Sequence, residues 1–216
     1  MGLDIPEGGR ERLSEQSQRA IGFVNCVFTS FESDWRETGK NLPPEIFEKW
    51  KNRTTASILA FMLNVKPALF LDMLKDRERV QKYLDDSGKN SFIYQESFIV
   101  DRDLVMGRIK EESNIAQELG WKEGMTIDEW LLEANPNGNE KQRGIIGFFL
   151  GYPKSAINAY ATHQIKNPTL VEIGGALFFT TDATLKEADD VKFLEKKYKT
   201  AFQKAGLGKF YREEKI

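Results

Sequence analysis

The most regular pattern in this chain is an apolar stripe at three- and four-residue spacing, which is typical of a helix with one buried face. We therefore predict a long helix at each end of the chain. The second is expected to open with a capping box from Thr184 to Glu187 and to end at Gly206. The N-terminal stripe consists of Ala20, Phe23, Val24, Val27, Phe28 and Phe31. The C-terminal stripe consists of Ala188, Val191, Leu194, Tyr198, Ala201, Phe202 and Ala205.

Residues that start and stop helices divide the chain between these two stripes. Pro44 suits a first turn, because the donor that proline lacks would be unpaired there anyway. The apolar run from Ser57 to Val65 predicts a buried helix, and Pro67 is predicted to open the next one. The remaining predicted helices are 101–119, capped by Asp101; one opened by a Thr126–Glu129 capping box; 140–150; and 153–165. We expect about nine helices.

Two segments carry the aromatic and β-branched residues that favour strands, Ser91 to Val100 and Leu170 to Thr181. Gly174 and Gly175 would permit a two-residue hairpin turn, because glycine tolerates positive φ. A buried helix is the alternative for such short apolar runs. The predicted fold class is mainly α (α+β): a single-domain helical bundle of about nine helices, with one small antiparallel β element built from these two segments.

The predicted domain organisation follows from the same pattern. Residues 1–12 are Gly-rich and charged, which predicts a flexible N-terminal arm. Residues 13–207 are expected to form the helical domain, with a weak subdivision suggested near 135–139, where Asn, Pro and Gly interrupt the helices. Residues 208–216 are predicted to be a charged tail.

Composition limits the classes of function. Fifteen Phe and four Trp among 216 residues exclude disorder of the whole chain. The net charge of -2 argues against a general nucleic-acid binder. The single cysteine, Cys26, permits no intramolecular disulfide and fits a reducing compartment. The apolar runs are too short to span a bilayer, so we expect a cytoplasmic protein that is not associated with a membrane.

Motifs for cofactors and metals are missing from the sequence. It contains no G-x-x-x-x-G-K-[ST] loop, no C-x-x-C and no H-E-x-x-H. Gly144, Gly147 and Gly151 lie inside or at the end of a predicted helix, so we interpret them as close-packing glycines rather than a dinucleotide fingerprint. One His and one Cys are too few good ligands for zinc. We predict no cofactor and no metal site.

The only histidine, His163, allows two interpretations. It could be a general base that activates Cys26 as a nucleophile. It could instead be a helix-terminal residue that binds free carbonyls. The aromatic neighbours of Cys26 predict a buried thiol with a raised pKa. We therefore favour the second interpretation and predict no catalytic residue.

The segment from Arg143 to His163 is the predicted ligand-binding region. It combines a buried helix, a glycine stop and a second helix opened by proline. Backbone donors around Lys154 and Ser155, in the first turn of the second helix, would attract an anion. The predicted binding residues are Arg143, Tyr152, Lys154, Ser155 and His163. The alternative is a helix-turn-helix corner inside the core.

Three basic residues, Lys192, Lys196 and Lys199, fall on one face of the last predicted helix. Such a face could receive RNA or an acidic protein surface. Nucleic-acid binding is disfavoured, because the segment lacks interleaved aromatics for stacking bases. Basic residues also suit the C-terminal half of a helix without any partner.

The expected function is non-catalytic. We predict a soluble intracellular helical protein that acts as a protein-interaction or small-ligand-binding module, with an unknown protein partner or a homo-oligomer as its assembly. One alternative is an enzyme or carrier for an anionic small molecule that uses the region 143–163. Another is nucleic-acid binding through the basic C-terminal helix.

Overall fold

The computed structural model describes residues 13–40, 43–71, 74, 76–95, 97–135, 137–161, 165–186 and 188–211, with the backbone alone for 31–40, 160 and 161. The predicted arm 1–12, His163 and the end of the predicted tail, 212–216, lie outside the described residues.

Within the described ranges the fold is mixed α+β, as predicted. The helices are α1 (Glu15–Lys40), α2 (Pro44–Met62), α3 (Arg77–Asp86), α4 (Arg102–Glu111), α5 (Ser113–Glu118), α6 (Ile127–Leu132), α7 (Glu140–Leu150), α8 (Lys154–Ala161) and α9 (Asp189–Lys204). The strands are β1 (Ala68–Phe70), β2 (Ser91–Tyr94), β3 (Phe98–Asp101), β4 (Pro168–Ile173) and β5 (Leu177–Asp182). Two short 3-10 helices, Ala183–Leu185 and Gly208–Phe210, flank α9.

The strands form two separate antiparallel sheets. In the first, the order is β1-β3-β2, with Ala68 opposite Val100 and Phe92 on the other side of Val100. The second is the hairpin β4–β5, in which Ile173 lies opposite Leu177. The strand predictions for 91–100 and 170–181 are therefore confirmed. The prediction that both segments belong to one antiparallel β element was wrong.

The turn of the β4–β5 hairpin uses both glycines at positive φ, 60° for Gly174 and 73° for Gly175. Ala176 N–H donates to the Ile173 carbonyl at 2.9 Å. The turn therefore has the backbone conformation that was expected of these glycines, although three residues rather than two separate the paired Ile173 and Leu177.

The segment after Pro67 was predicted to be helical and is instead strand β1. Asn64, at φ 61°, stops α2, and the N–H groups of Val65 and Lys66 both donate to the Ala60 carbonyl. The chain then forms β1, which pairs with β3, a strand some thirty residues further along the sequence. Pairing with this distant strand overrides the local helical pattern.

Two further differences concern helix boundaries. The predicted helix 101–119 is two helices, because the backbone leaves the helical region at Glu112, where φ is -117° and ψ is 42°. The predicted capping box at Thr184–Glu187 was wrong, because the Asp182 carboxylate binds both the backbone N–H and the hydroxyl of Thr184, and α9 begins at Asp189. The cap at Asp101 and the capping box opened by Thr126 are confirmed.

Two clusters of buried apolar side chains share the interior. The first joins α1, α2, the β4–β5 hairpin and α9, and the second joins β3, α4, α6 and α7 around Trp130. Tyr152 packs against both clusters. Trp130 and Phe148, on either side of the suggested subdivision at 135–139, have ring centroids 5.2 Å apart.

Candidate functional site

A cavity of about 200 Å³ opens where four segments meet: the turn after α2, helix α4, the α7–α8 junction and helix α9. Its charged lining includes Arg108 from α4, Lys154 from α8, and Asp190 and Lys197 from α9. Its rim carries Phe193, which is 67% exposed. The cavity therefore offers both charged groups and an apolar surface to a ligand.

Arg108 lines this cavity, and several protein groups hold its side chain in place. Its guanidinium donates to the carbonyl of Phe148 at 2.7 Å, to the carbonyl of Tyr152 and to the carboxylate of Glu112 at 3.0 Å. It also lies over the Phe148 ring, 4.5 Å from the centroid. Burial lowers the pKa of Arg108, while Glu112 raises it. Arg108 thus ties α4 to the end of α7, and most of its donors are already used.

Asp190 occupies the anion position that the sequence predicted at the start of α8. Its carboxylate accepts from the backbone N–H of Ser155 at 2.7 Å and from the Ser155 hydroxyl at 2.9 Å. A helix N-terminus favours a nearby negative charge, so the protein's own carboxylate has taken the place expected for a ligand. Ser155 therefore binds α9 rather than presenting a free donor.

Two ammonium groups at the cavity remain available. Lys154 and Lys197 are exposed and line the same cavity, and neither forms an ion pair or hydrogen bond with a described residue. On the opposite side, Glu111 of α4 contributes an exposed carboxylate. Asp103, also on α4, adds a second exposed carboxylate, which accepts a hydrogen bond from the Asn90 amide. The two ammonium groups therefore lie on the α8–α9 side of the cavity, and the two exposed carboxylates lie on α4.

The other predicted site residues lie apart from this cavity or outside the described residues. Arg143, on α7, donates to the Gly138 carbonyl at 2.7 Å and does not line the cavity. The ring of Tyr152 packs against Phe179 at a centroid distance of 5.6 Å, and only its carbonyl reaches Arg108. His163 is outside the described residues. The structure thus brings Lys154 and Ser155 to one place and adds Arg108, Asp190 and Lys197, which sequence reasoning missed.

The predicted basic face of α9 is on the surface. Lys192, Lys196 and Lys199 are all exposed, and they point within about 60° of one another around the helix axis. Their neighbour Lys197 points towards the cavity instead. Basic charge is therefore divided between the outer surface of α9 and the cavity rim.

A second cavity, of about 320 Å³, lies between α1 and the turn after α3. Its charged residues are already engaged. Arg19 pairs with Glu15, and the Lys89 ammonium lies 2.7 Å from the Asp101 carboxylate. These pairs leave little charge for a ligand, so the first cavity is the better candidate.

Chemistry of other kinds is limited in the described part of the chain. Cys26 is buried, and burial raises the pKa of its thiol, as predicted. Among the described residues, no three His, Cys, Asp or Glu side chains are grouped closely enough to hold a metal ion. None of the helices in the described ranges combines the length and apolarity needed to cross a membrane.

Comparison with protein families, with curated proteins and with solved structures finds nothing that matches this chain. Its function therefore has to be argued from the cavity and its side chains.

Proposed function

We propose that this chain is a small-ligand-binding module, a single helical domain of the cytoplasm whose cavity binds, without catalysis at that site, a ligand with an anionic head and an apolar body. The observation that carries this proposal is the pair of ammonium groups, Lys154 and Lys197, which line one cavity without an ion-pair partner among the described residues. The single, buried Cys26 supports a reducing compartment.

The charge and polarity of the ligand follow from the lining groups that do not bind other parts of the protein. Arg108 and Asp190 are engaged by other protein groups, so the lysines supply the free positive charge. Phe193 and Leu194, neighbours on α9, supply apolar surface beside it. The volume of about 200 Å³ is below the roughly 300–1,000 Å³ of pockets for drug-sized molecules. A metabolite-sized carboxylate or phosphate monoester fits these conditions, and Glu111 could accept an additional amine.

Gly107 provides a direct test, because it lines the cavity and a Cβ placed on it would meet no atom within 4 Å. Gly107→Phe should therefore direct a phenyl ring into the cavity from a Cβ that meets no other atom. Since Gly107 lies inside helix α4, replacing glycine also favours the helix. We expect unchanged or higher thermal stability together with loss of ligand binding.

The assay is calorimetric titration with hexanoate and phenyl phosphate, with hexylammonium as the cationic control. Binding of the two anions should weaken at least tenfold in Lys154→Glu and in Lys197→Glu, because each variant reverses one charge at the rim. Lys122→Glu, at an exposed position outside the cavity, is the matched control. Equal anion binding by the parent and Gly107→Phe would refute the site, and preference for hexylammonium would refute the proposed head group.

A protein-interaction role is the second candidate, and the first half of α2 favours it. Residues 44–46 and 48–50 are exposed, and Ile46 and Trp50, one turn apart, are 54% and 39% exposed. Large apolar side chains adjacent on one helix face suit a second copy or a protein partner. Sedimentation equilibrium should then show an association that Trp50→Glu weakens, and a concentration-independent monomer mass would argue against self-association.

An enzyme or carrier role and a nucleic-acid-binding role can each be tested separately. An enzyme or carrier acting on the same anionic ligand would use the cavity at Lys154, and turnover of the bound ligand would reveal the enzyme. Nucleic-acid binding would use Lys192, Lys196 and Lys199. It should give salt-sensitive retention on heparin that is lost when these three residues are neutralised.

A further inference from the structure

The ε-amine of Lys66 is buried, and none of the described residues supplies it with a counter-ion. Lys66 follows α2 and is 6% exposed. Its amine lies 2.7 Å from the Ala176 carbonyl and 3.2 Å from the Ser57 hydroxyl, and no carboxylate of the described residues contacts it. Burial lowers the pKa of Lys66 to about 7. A large fraction of this amine is therefore unprotonated near neutral pH and can accept a proton.

Ser57 stands in front of this amine. It lies on α2, is partly exposed, and its hydroxyl donates to the Ala176 carbonyl at 2.7 Å. The Ser57 hydroxyl, the Lys66 amine and the Ala176 carbonyl lie within hydrogen-bonding distance of one another. Their protons can be arranged in two ways. With a charged amine, both groups donate to Ala176; with a neutral amine, Lys66 donates to Ala176 and Ser57 can donate to Lys66. The second arrangement is that of a nucleophile beside its base.

Arg53 lies one helical turn before Ser57, on the same face of α2. Its guanidinium pairs with Glu172 on β4 and lies over the Phe178 ring, 4.5 Å from the centroid. Its Nε is buried and has no hydrogen-bond partner among the described residues. One N–H donor of this ion-paired guanidinium therefore remains unused within the described part of the chain, one helical turn from Ser57.

We propose that Ser57 and Lys66 form a nucleophile–base pair that gives this protein a second activity, acyl transfer from small activated esters to water. The Ser57 oxygen attacks the ester carbonyl carbon while its proton passes to the Lys66 amine. The C–O bond to the leaving alcohol then breaks, and that alcohol takes the proton from Lys66. A water molecule next attacks the acyl carbon and gives one proton to Lys66. The C–O bond to Ser57 then breaks, Lys66 returns that proton to the Ser57 oxygen, and the carboxylic acid leaves.

The charged surroundings do not compete for the proton of Lys66. On α2 the nearest charged side chain along the helix is Arg53, and on the hairpin it is Glu172, and these two neutralise each other. Tyr211, whose ring approaches Gly174 in the hairpin turn, donates its hydroxyl to the Glu195 carbonyl instead. The pH dependence of Ser57 reactivity should therefore follow the amine alone.

The test is covalent labelling of the full chain with a small alkyl fluorophosphonate, read by intact mass and peptide mapping. The Ser57 oxygen would form the O–P bond, fluoride would leave, and the proton would pass to Lys66. We expect a single adduct at Ser57 whose rate rises with pH to a plateau above about pH 7. Ser57→Ala should abolish the adduct, and Lys66→Met should slow it roughly a hundredfold or more.

Ser87 is the matched internal control. Its hydroxyl is also partly buried and donates to a backbone carbonyl, that of Tyr83, at 2.7 Å, but no lysine in the described ranges forms a hydrogen bond with it. It should stay unlabelled, and circular dichroism should show that both variants fold. The proposal is overturned if folded parent protein gives no Ser57 adduct between pH 6 and 9, if Ser87 reacts equally, or if Lys66→Met reacts at the parent rate.

Discussion

Replacing Lys66 with methionine should stabilise this protein at neutral and acidic pH. The amine is almost completely buried, and among the described residues its polar contacts are the Ser57 hydroxyl and the Ala176 carbonyl. Charging a buried group that has no counter-ion is unfavourable. Methionine has a similar length and no charge. The Ala176 carbonyl would keep the hydrogen bond from Ser57 at 2.7 Å, so the substitution leaves that acceptor satisfied.

The size of the effect follows from the displacement of the pKa. Burial moves the pKa of Lys66 from 10.5 to about 7, and each pKa unit corresponds to about 1.4 kcal/mol. Below pH 7 the native protein therefore carries a penalty of about 5 kcal/mol. Between about pH 7 and 10.5 the unfolded chain binds the proton and the native protein does not, so parent stability rises with pH by about 1.4 kcal/mol per unit.

The assay is urea unfolding at pH 6, 7, 8 and 9, followed by tryptophan fluorescence. Lys66→Met should be more stable than the parent at pH 6, by up to about 5 kcal/mol, and the advantage should shrink by about 3 kcal/mol by pH 9. Lys89→Met is the matched control, because the Lys89 side chain is only 9% exposed but its ammonium lies 2.7 Å from the Asp101 carboxylate. Its loss leaves that carboxylate unpaired and should destabilise at every pH tested. A gap between parent and Lys66→Met that does not change with pH would refute the reasoning.

Three further substitutions test the packing around the cavity and the hairpin. Asp101→Ala removes the cap of α4 and the partner of Lys89 and should cost about 3–5 kcal/mol in urea unfolding, whereas Asp76→Ala, at an exposed cap, should cost about 1 kcal/mol. Gly151→Ala should lower the melting temperature, because Gly151 has φ 84° and its Cβ would lie 2.9 Å from the Pro67 ring; the same change at Gly107 should not lower it. Asp182→Asn should destabilise at pH 7 with a loss that fades as pH approaches 2, because hydrogen bonds from Thr184, Asn167 and Lys166 hold the pKa of Asp182 at about 2; an equal loss at pH 2 and pH 7 would contradict this.

Features that depend on neighbouring residues could be predicted from the sequence. The cap at Asp101 needs only the N–H of Leu104, three residues on. The capping box at Thr126 needs only Glu129. The two hairpin glycines likewise adopt positive φ because glycine has no Cβ. In each case the physical cause lies within a few residues, so the pattern contains it.

Features that depend on distant partners could not be predicted. Strand β1 forms because β3 pairs with it, and its own residues fitted a helix equally well. The carboxylate of Asp190, in the first turn of α9, binds Ser155, which is 35 residues away, and no residue near Asp190 in the sequence indicates this partner. Arg108 could have been suspected from its spacing of four residues to Glu112, yet nothing local indicates its bonds to the carbonyls of Phe148 and Tyr152.

The cavity and the buried amine meet in one short segment. Asn64, Val65 and Pro67 line the cavity, while Lys66, between them, sends its side chain to the hairpin turn at Ala176. Apolar packing alone would be served better there by methionine, since an uncompensated charge lowers stability. The proposed reactivity of Ser57 would give a physical reason for an amine that is unfavourable for folding. Lys66→Met separates the two roles, because it should increase stability and slow the reaction of Ser57 in the same molecule.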